Sequence, residues 1–133
     1  MGAWGIGSFD NDDASDWVAD LKESDPSLIA STLRRITTVG EDYLEAPDCS
    51  NALAAAEIVA ALRGYPLSDL YDAAQAWVQT HHFDPDADLV SIALAAVERI
   101  RSDSELKELW EEVAEGPVWF ATLDDLNRRL AAT

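Results

Sequence analysis

The stretch "SNALAAAEIVAALRG", residues 50–64, decides the fold. Between Ala52 and Leu62 its single polar side chain is Glu57. An α-helix turns once every 3.6 residues, so a helix written this way has no polar face to offer to water. It is stable only when other helices surround it. The spacing therefore predicts a central helix ending at Gly64, where a glycine can take the left-handed turn that closes a helix.

The rest of the chain supplies the surrounding helices. Asn11 or Asp12 can cap a first one, with Asp13 and Asp16 near its positive end and a stripe of Ala14, Trp17, Val18 and Leu21. A second is expected from Asp25 as cap and Pro26 as first helical residue to a terminator at Gly40, burying Leu28, Ile29, Leu33 and Ile36. A turn over residues 41–47 then leads to the central helix. A fourth helix is read in "PLSDLYDAAQAWVQTHH" (66–82), with Leu67, Leu70, Tyr71, Ala74, Trp77 and Val78 on one face. Asp84 and Pro85 signal the start of a fifth, whose stripe is Leu89, Ile92, Ala96, Val97 and Ile100. Ser102 and Glu105 read as a capping box for a sixth, with Leu106, Leu109, Trp110 and Val113 inward and Gly116-Pro117 as the stop. "GPVWFAT" (116–122) reads as one extended piece, and Thr122 and Asp125 as capping a seventh helix through Leu123, Leu126 and Leu130. The expectation is all-α: a single domain over residues 1–133, a bundle of about seven short helices with an extended N-terminal arm packed on it.

The 26 acidic and 9 basic residues give a net charge of −17. A field of that sign repels nucleic-acid phosphates and anionic membranes, so neither is an expected partner. A basic protein partner remains open, as does acidity serving solubility alone. No apolar run reaches the ~20 residues that span a bilayer, because Glu57 and Arg63 interrupt the longest. The N-terminus lacks the basic and apolar regions of a signal peptide, and Ile6 stands where a myristoylation signal needs Ser or Thr. The single cysteine, Cys49, suits a reducing compartment, so a cytoplasmic location is expected.

Few residues hint at chemistry. The opening "MGAWGIGSFDNDDASDW" carries Gly2, Gly5 and Gly7 without a preceding strand, so a dinucleotide loop lacks its context. The simpler reading is an arm that lays Trp4, Ile6 and Phe9 into a groove; the alternative is an anion-binding turn. Asp10, Asp12, Asp13 and Asp16 lack the glycine and distal glutamate of a calcium loop, and "DPDAD" (84–88) fails the same pattern, with Ala95 at the glutamate position. Capping accounts for both, so no metal and no cofactor is expected. His81 and His82, being adjacent, point about 100° apart on a helix and cannot chelate one ion as an i, i+4 pair would. Cys49 sits in a helix-start context without the histidine setting of a nucleophile. Glu57 stands apart: a carboxylate among apolar residues must be paired, hydrogen-bonded or shifted in pKa. An arginine, a tryptophan indole or the amides of the N-terminal arm could hold it, and the arm would explain both oddities together. Trp4, Asp10, Asp12, Asp13 and Glu57 are the candidate binding residues; none is assigned a catalytic role.

The segments "GAWGIGSFDNDDASDW" (2–17), "CSNALAAAEIVAALRG" (49–64) and "ELWEE" (108–112) resemble a small bacterial family, domain of unknown function 4259. The resemblance spans essentially the whole chain and implies one domain with no assigned activity. The leading expectation is a non-enzymatic module for a basic protein, immunity-like or antitoxin-like by analogy of size and charge. Exposed acids such as Asp20, Glu23, Glu111 and Glu112 would steer that encounter. The alternatives are an enzyme using Glu57 or the Asp10–Asp13 cluster with a recruited metal, and a structural domain without a specific partner.

Overall fold

The computed structural model describes residues 11–40, 42–66 and 71–132. Every regular element among them is a helix: α1 (Asp12–Lys22), α2 (Ser27–Thr37), α3 (Ala46–Leu62), α4 (Asp72–Thr80), α5 (Ala87–Ser102), α6 (Glu105–Glu111) and α7 (Gly116–Ala131). The all-α bundle is therefore as expected. The arm with Trp4, Ile6, Phe9 and Asp10 lies outside the described residues, as do Leu67 and Leu70.

Helix α3 occupies the centre. Thirteen of its seventeen residues are buried, and it packs against all six other helices. Its alanines let neighbours approach closely on every side. Leu33 and Ile36 of α2, Ile100 of α5, and Leu123, Leu126 and Leu130 of α7 pack into the same core. Gly64 closes α3 at φ +91°, with Tyr65 N donating to Ala60 O at 2.9 Å and Gly64 N to Ala61 O at 3.0 Å. That is the paired hydrogen-bond arrangement of a glycine-terminated helix.

Several boundaries differ from the sequence expectation, each for a physical reason. The central helix begins at Ala46, earlier than expected, and takes Pro47 into its first turn. A first-turn amide has no partner within the helix, so proline costs nothing there. Its cap comes from a distant residue: Glu105 Oε1 accepts from Ala46 N at 2.8 Å, while Glu105 N donates to Leu44 O at 2.9 Å. Glu105 thus caps α3 and is no partner of Ser102 in a capping box. The cap of α6 is Ser104, whose Oγ accepts from Lys107 N at 3.1 Å and donates to Ile100 O at 2.7 Å.

Gly116 and Pro117 start α7 and do not stop α6, and the expected extended piece is its first two turns. With α6 already finished at Glu111, Val113 falls beyond the helix and is exposed. Asp86 caps α5, accepting from Leu89 N at 2.8 Å, in place of Asp84. Asp25 accepts from Ser27 N at 2.9 Å, so α2 starts one residue after Pro26. Helix α4 begins only at Asp72, and Tyr71 stays on the outside. As expected, Asn11 caps α1, accepting from Ala14 N at 2.7 Å.

Two glycines make this geometry testable. A Cβ on Gly116 would collide with the backbone carbonyl of Trp110, which cannot swing away as a side-chain tip can. Gly64 has open space around it and only its φ to protect. Gly116→Ala is expected to cost about 1–3 kcal/mol or more through overpacking. Gly64→Ala should cost about 1–2 kcal/mol through left-handed strain. Urea unfolding measures both, and a Gly116→Ala loss below about 1 kcal/mol would contradict the tight α6–α7 corner.

Candidate functional site

Glu57 lies in the C-terminal half of α3, five residues before its end, with its side chain 3% exposed. The last turn of α7 brings Arg129 to it, and the two planar groups meet in a fork: Arg129 Nη1 donates to Glu57 Oε1 at 2.7 Å and Nη2 to Oε2 at 3.2 Å. Arg129 Nε also donates to Asp125 Oδ2, one helical turn back, at 2.8 Å. Its Nη1 reaches Tyr65 O at 3.3 Å, just past the end of α3. Arg63, at the end of α3, reciprocates through Nη1, donating to the carbonyls of Arg129 and Leu130. Each guanidinium therefore meets carbonyl oxygens at or just past the end of the neighbouring helix, where a cation also complements the helix dipole.

This cluster is electrostatically self-consistent. Burial works against the charge of Arg129, but the hydrogen bonds and charge of Glu57, with Asp125 behind them, outweigh it and raise its pKa. Arg129 in turn lowers the pKa of Asp125 from its ordinary 3.8, against a smaller opposing effect of burial. Both oxygens of Glu57 are engaged, so the geometry is that of a fixed bidentate pair.

Of the other candidates, two are described. Asp12 and Asp13 are exposed in the first turn of α1, where carboxylates favour the helix start, and are not gathered with buried Glu57. Trp4 and Asp10 lie outside the described residues. No group of three or more His, Cys, Asp or Glu among the described residues is placed to hold a metal ion. Cys49 is fully buried in the first turn of α3, and burial pushes its thiol up to about 11. At neutral pH it is a protonated core residue, as its sequence context suggests. His81 ends α4 and stacks on Trp77 with ring centroids 4.5 Å apart.

Open clefts lie among the described residues. One, of about 410 Å³, lies where α1, α2 and α3 meet, with Trp17, Thr32, Arg35, Asp48 and Asn51 in its walls. Trp17 Nε1 donates to Thr32 Oγ1 at 2.9 Å there, and Arg35 pairs with Asp48 at 3.3 Å. Another, of about 320 Å³, runs between α2 and α5 past Phe83, Leu89 and Ile92.

Of the partners the sequence offers Glu57, the arginine is Arg129, while the N-terminal arm lies outside the described residues. The signal for Arg129 was a base bordering the Leu126 and Leu130 stripe, four residues after Asp125.

The cluster sets an acid limit on stability. A carboxylate whose folded pKa is lowered stabilises the fold above its unfolded pKa and loses that contribution as pH falls through the folded value. Wild type should therefore exceed Asp125→Asn in stability at neutral pH, with the difference shrinking below about pH 4. Thermal unfolding between pH 7 and pH 2 measures it; a difference unchanged across that range would contradict the Asp125–Arg129 coupling.

No curated protein and no solved structure matches the chain. A family profile described as "Domain of unknown function (DUF4259)" matches residues 2–122, stopping short of Asp125 and Arg129. The chain belongs to the DUF4259 family.

Proposed function

We propose that the protein is a non-enzymatic binding module whose partner is a basic protein, acting in the cytoplasm as a neutralising or chaperoning surface. What supports this is how the charges are divided. Arg35, Arg99, Arg101, Lys107, Arg128 and Arg129 stand in ion pairs within the chain. Arg99 also holds Gly40 O at 2.6 Å and Asp42 O at 3.1 Å, fixing the α2–α3 link, and Arg63 holds the end of α7. Only Lys22 and Arg34 fall outside these contacts.

The unpaired acids among the described residues are numerous. Asp16, Asp20, Glu23, Asp84, Glu98 and Glu112 are exposed. Lys22, Arg34, Arg35 and Arg128 are exposed as well, but 9 bases against 26 acids leave the surface predominantly acidic, which steers a cationic partner from a distance. No helix among the described residues is long and apolar enough to cross a membrane, which agrees with an encounter in solution.

The test is the salt dependence of association with the partner recovered from native cytosol. The Debye length falls from about 30 Å at 0.01 M salt to about 8 Å at physiological strength. The association rate should drop over that range while dissociation changes less. A variant combining Asp20→Lys, Glu23→Lys and Glu112→Lys should bind more slowly yet fold normally, because all three are exposed at C-terminal helix ends, where a lysine suits the helix dipole. Salt-indifferent binding, or capture of nucleic acid alone, would sink the reading.

A further inference from the structure

We infer that the groove between α2 and α5 is where the basic partner docks, and that it takes an amphipathic segment with an apolar anchor set among Lys and Arg side chains. This rests on the reading above and names its surface. The groove offers a cleft of about 320 Å³ with Phe83, Leu89 and Ile92 among its walls. Phe83 is 37% exposed although it is a large aromatic, and Leu89 and Ile92 are only half-buried although both lie on the inward stripe of α5. An apolar side chain seated there would remove all three from water.

The rim selects the sign of the partner. Asp86 and Asp88 line the groove. Asp25 and Asp84 are exposed beside the lining residues Pro26 and Phe83 in the chain. Against these four carboxylates stand Arg34, which also lines the groove, and the N-terminal ends of α2 and α5. Each helix end is worth about half a positive charge, so Arg34 and the two ends offset Asp86 and Asp88 of the lining, and the acidic excess of about −2 comes from the neighbouring exposed Asp25 and Asp84. An apolar floor under an acidic rim fits a segment with an apolar stripe flanked by cations, the geometry by which an amphipathic helix lies in a groove. The second cleft, at α1–α3, is lined by a cation and an anion already paired with each other and shows no such preference.

The test uses the full chain and two synthetic peptides of equal length and charge, one an amphipathic helix of Leu and Lys, the other built of Gly and Lys. Fluorescence anisotropy of labelled peptide should show the Leu–Lys helix binding at least about tenfold tighter than the Gly–Lys peptide, since an anchor in a pocket supplies most of the energy of such contacts. Phe83→Ser and Asp84→Lys lie in the segment before α5, outside any helix. Together they should remove most of that advantage, while Asp20→Lys with Glu112→Lys should leave it in place. In the unmutated protein, backbone amide shifts on adding the Leu–Lys helix should concentrate in residues 26–34 and 83–92, a result that depends on no variant's folding. Equal binding of the two peptides, or shifts centred elsewhere, would overturn the groove while leaving a basic partner standing. Failure of both peptides to bind at low salt would overturn the groove and the basic-partner reading together.

Discussion

A carboxylate in the middle of an all-apolar helix has to be matched by a cation that is itself brought out of water. Glu57 imposes that demand on α3, and Arg129 meets it from the last turn of α7. The consequence is architectural. Helix α7 must run so that its end meets the end of α3, and Arg63 then secures the same junction from the other side. Apolar packing of Leu123, Leu126 and Leu130 would tolerate several positions of α7 along the core, whereas a bidentate fork tolerates very few. Such pairs add little net stability over a well-packed apolar pair, and their use here is registry.

How much of this was legible in the sequence follows from the range of each interaction. The central helix was legible because eleven positions with one polar residue admit no other placement. Asn11 was legible as a cap because its partner, Ala14, is three residues away. Misreadings cluster where a local motif is overruled from a distance. Ser102 and Glu105 have capping-box spacing, yet Glu105 serves Ala46, which the chain brings close only after folding. Gly116-Pro117 looks like a helix stop, but proline suits a first turn equally well. The close approach of Trp110 to Gly116 is what turns that pair into a start. Arg129 could not be chosen for Glu57 over other partners because 72 residues separate them.

The same ion-pairing pattern connects fold to function. A chain with 26 acids and 9 bases has few cations to place, and the structure places most of them at helix ends, links and buried pairs. The acidic exterior follows from the excess of acids over bases, which ion pairing within the bundle does not remove. The α2–α5 groove adds what charge alone lacks, a place for shape.

The most direct test of the central claim is a double-mutant cycle on Glu57→Leu and Arg129→Met, followed by urea unfolding. Removing either partner strands the other charge in the core, so each single variant should lose about 3–5 kcal/mol. If the fork is what holds the junction, the double variant, which strands no charge, should lose less than either single. Losses that simply add, or a Glu57→Leu variant as stable as the wild type, would show that the junction of α3 and α7 is held by apolar packing and not by this pair.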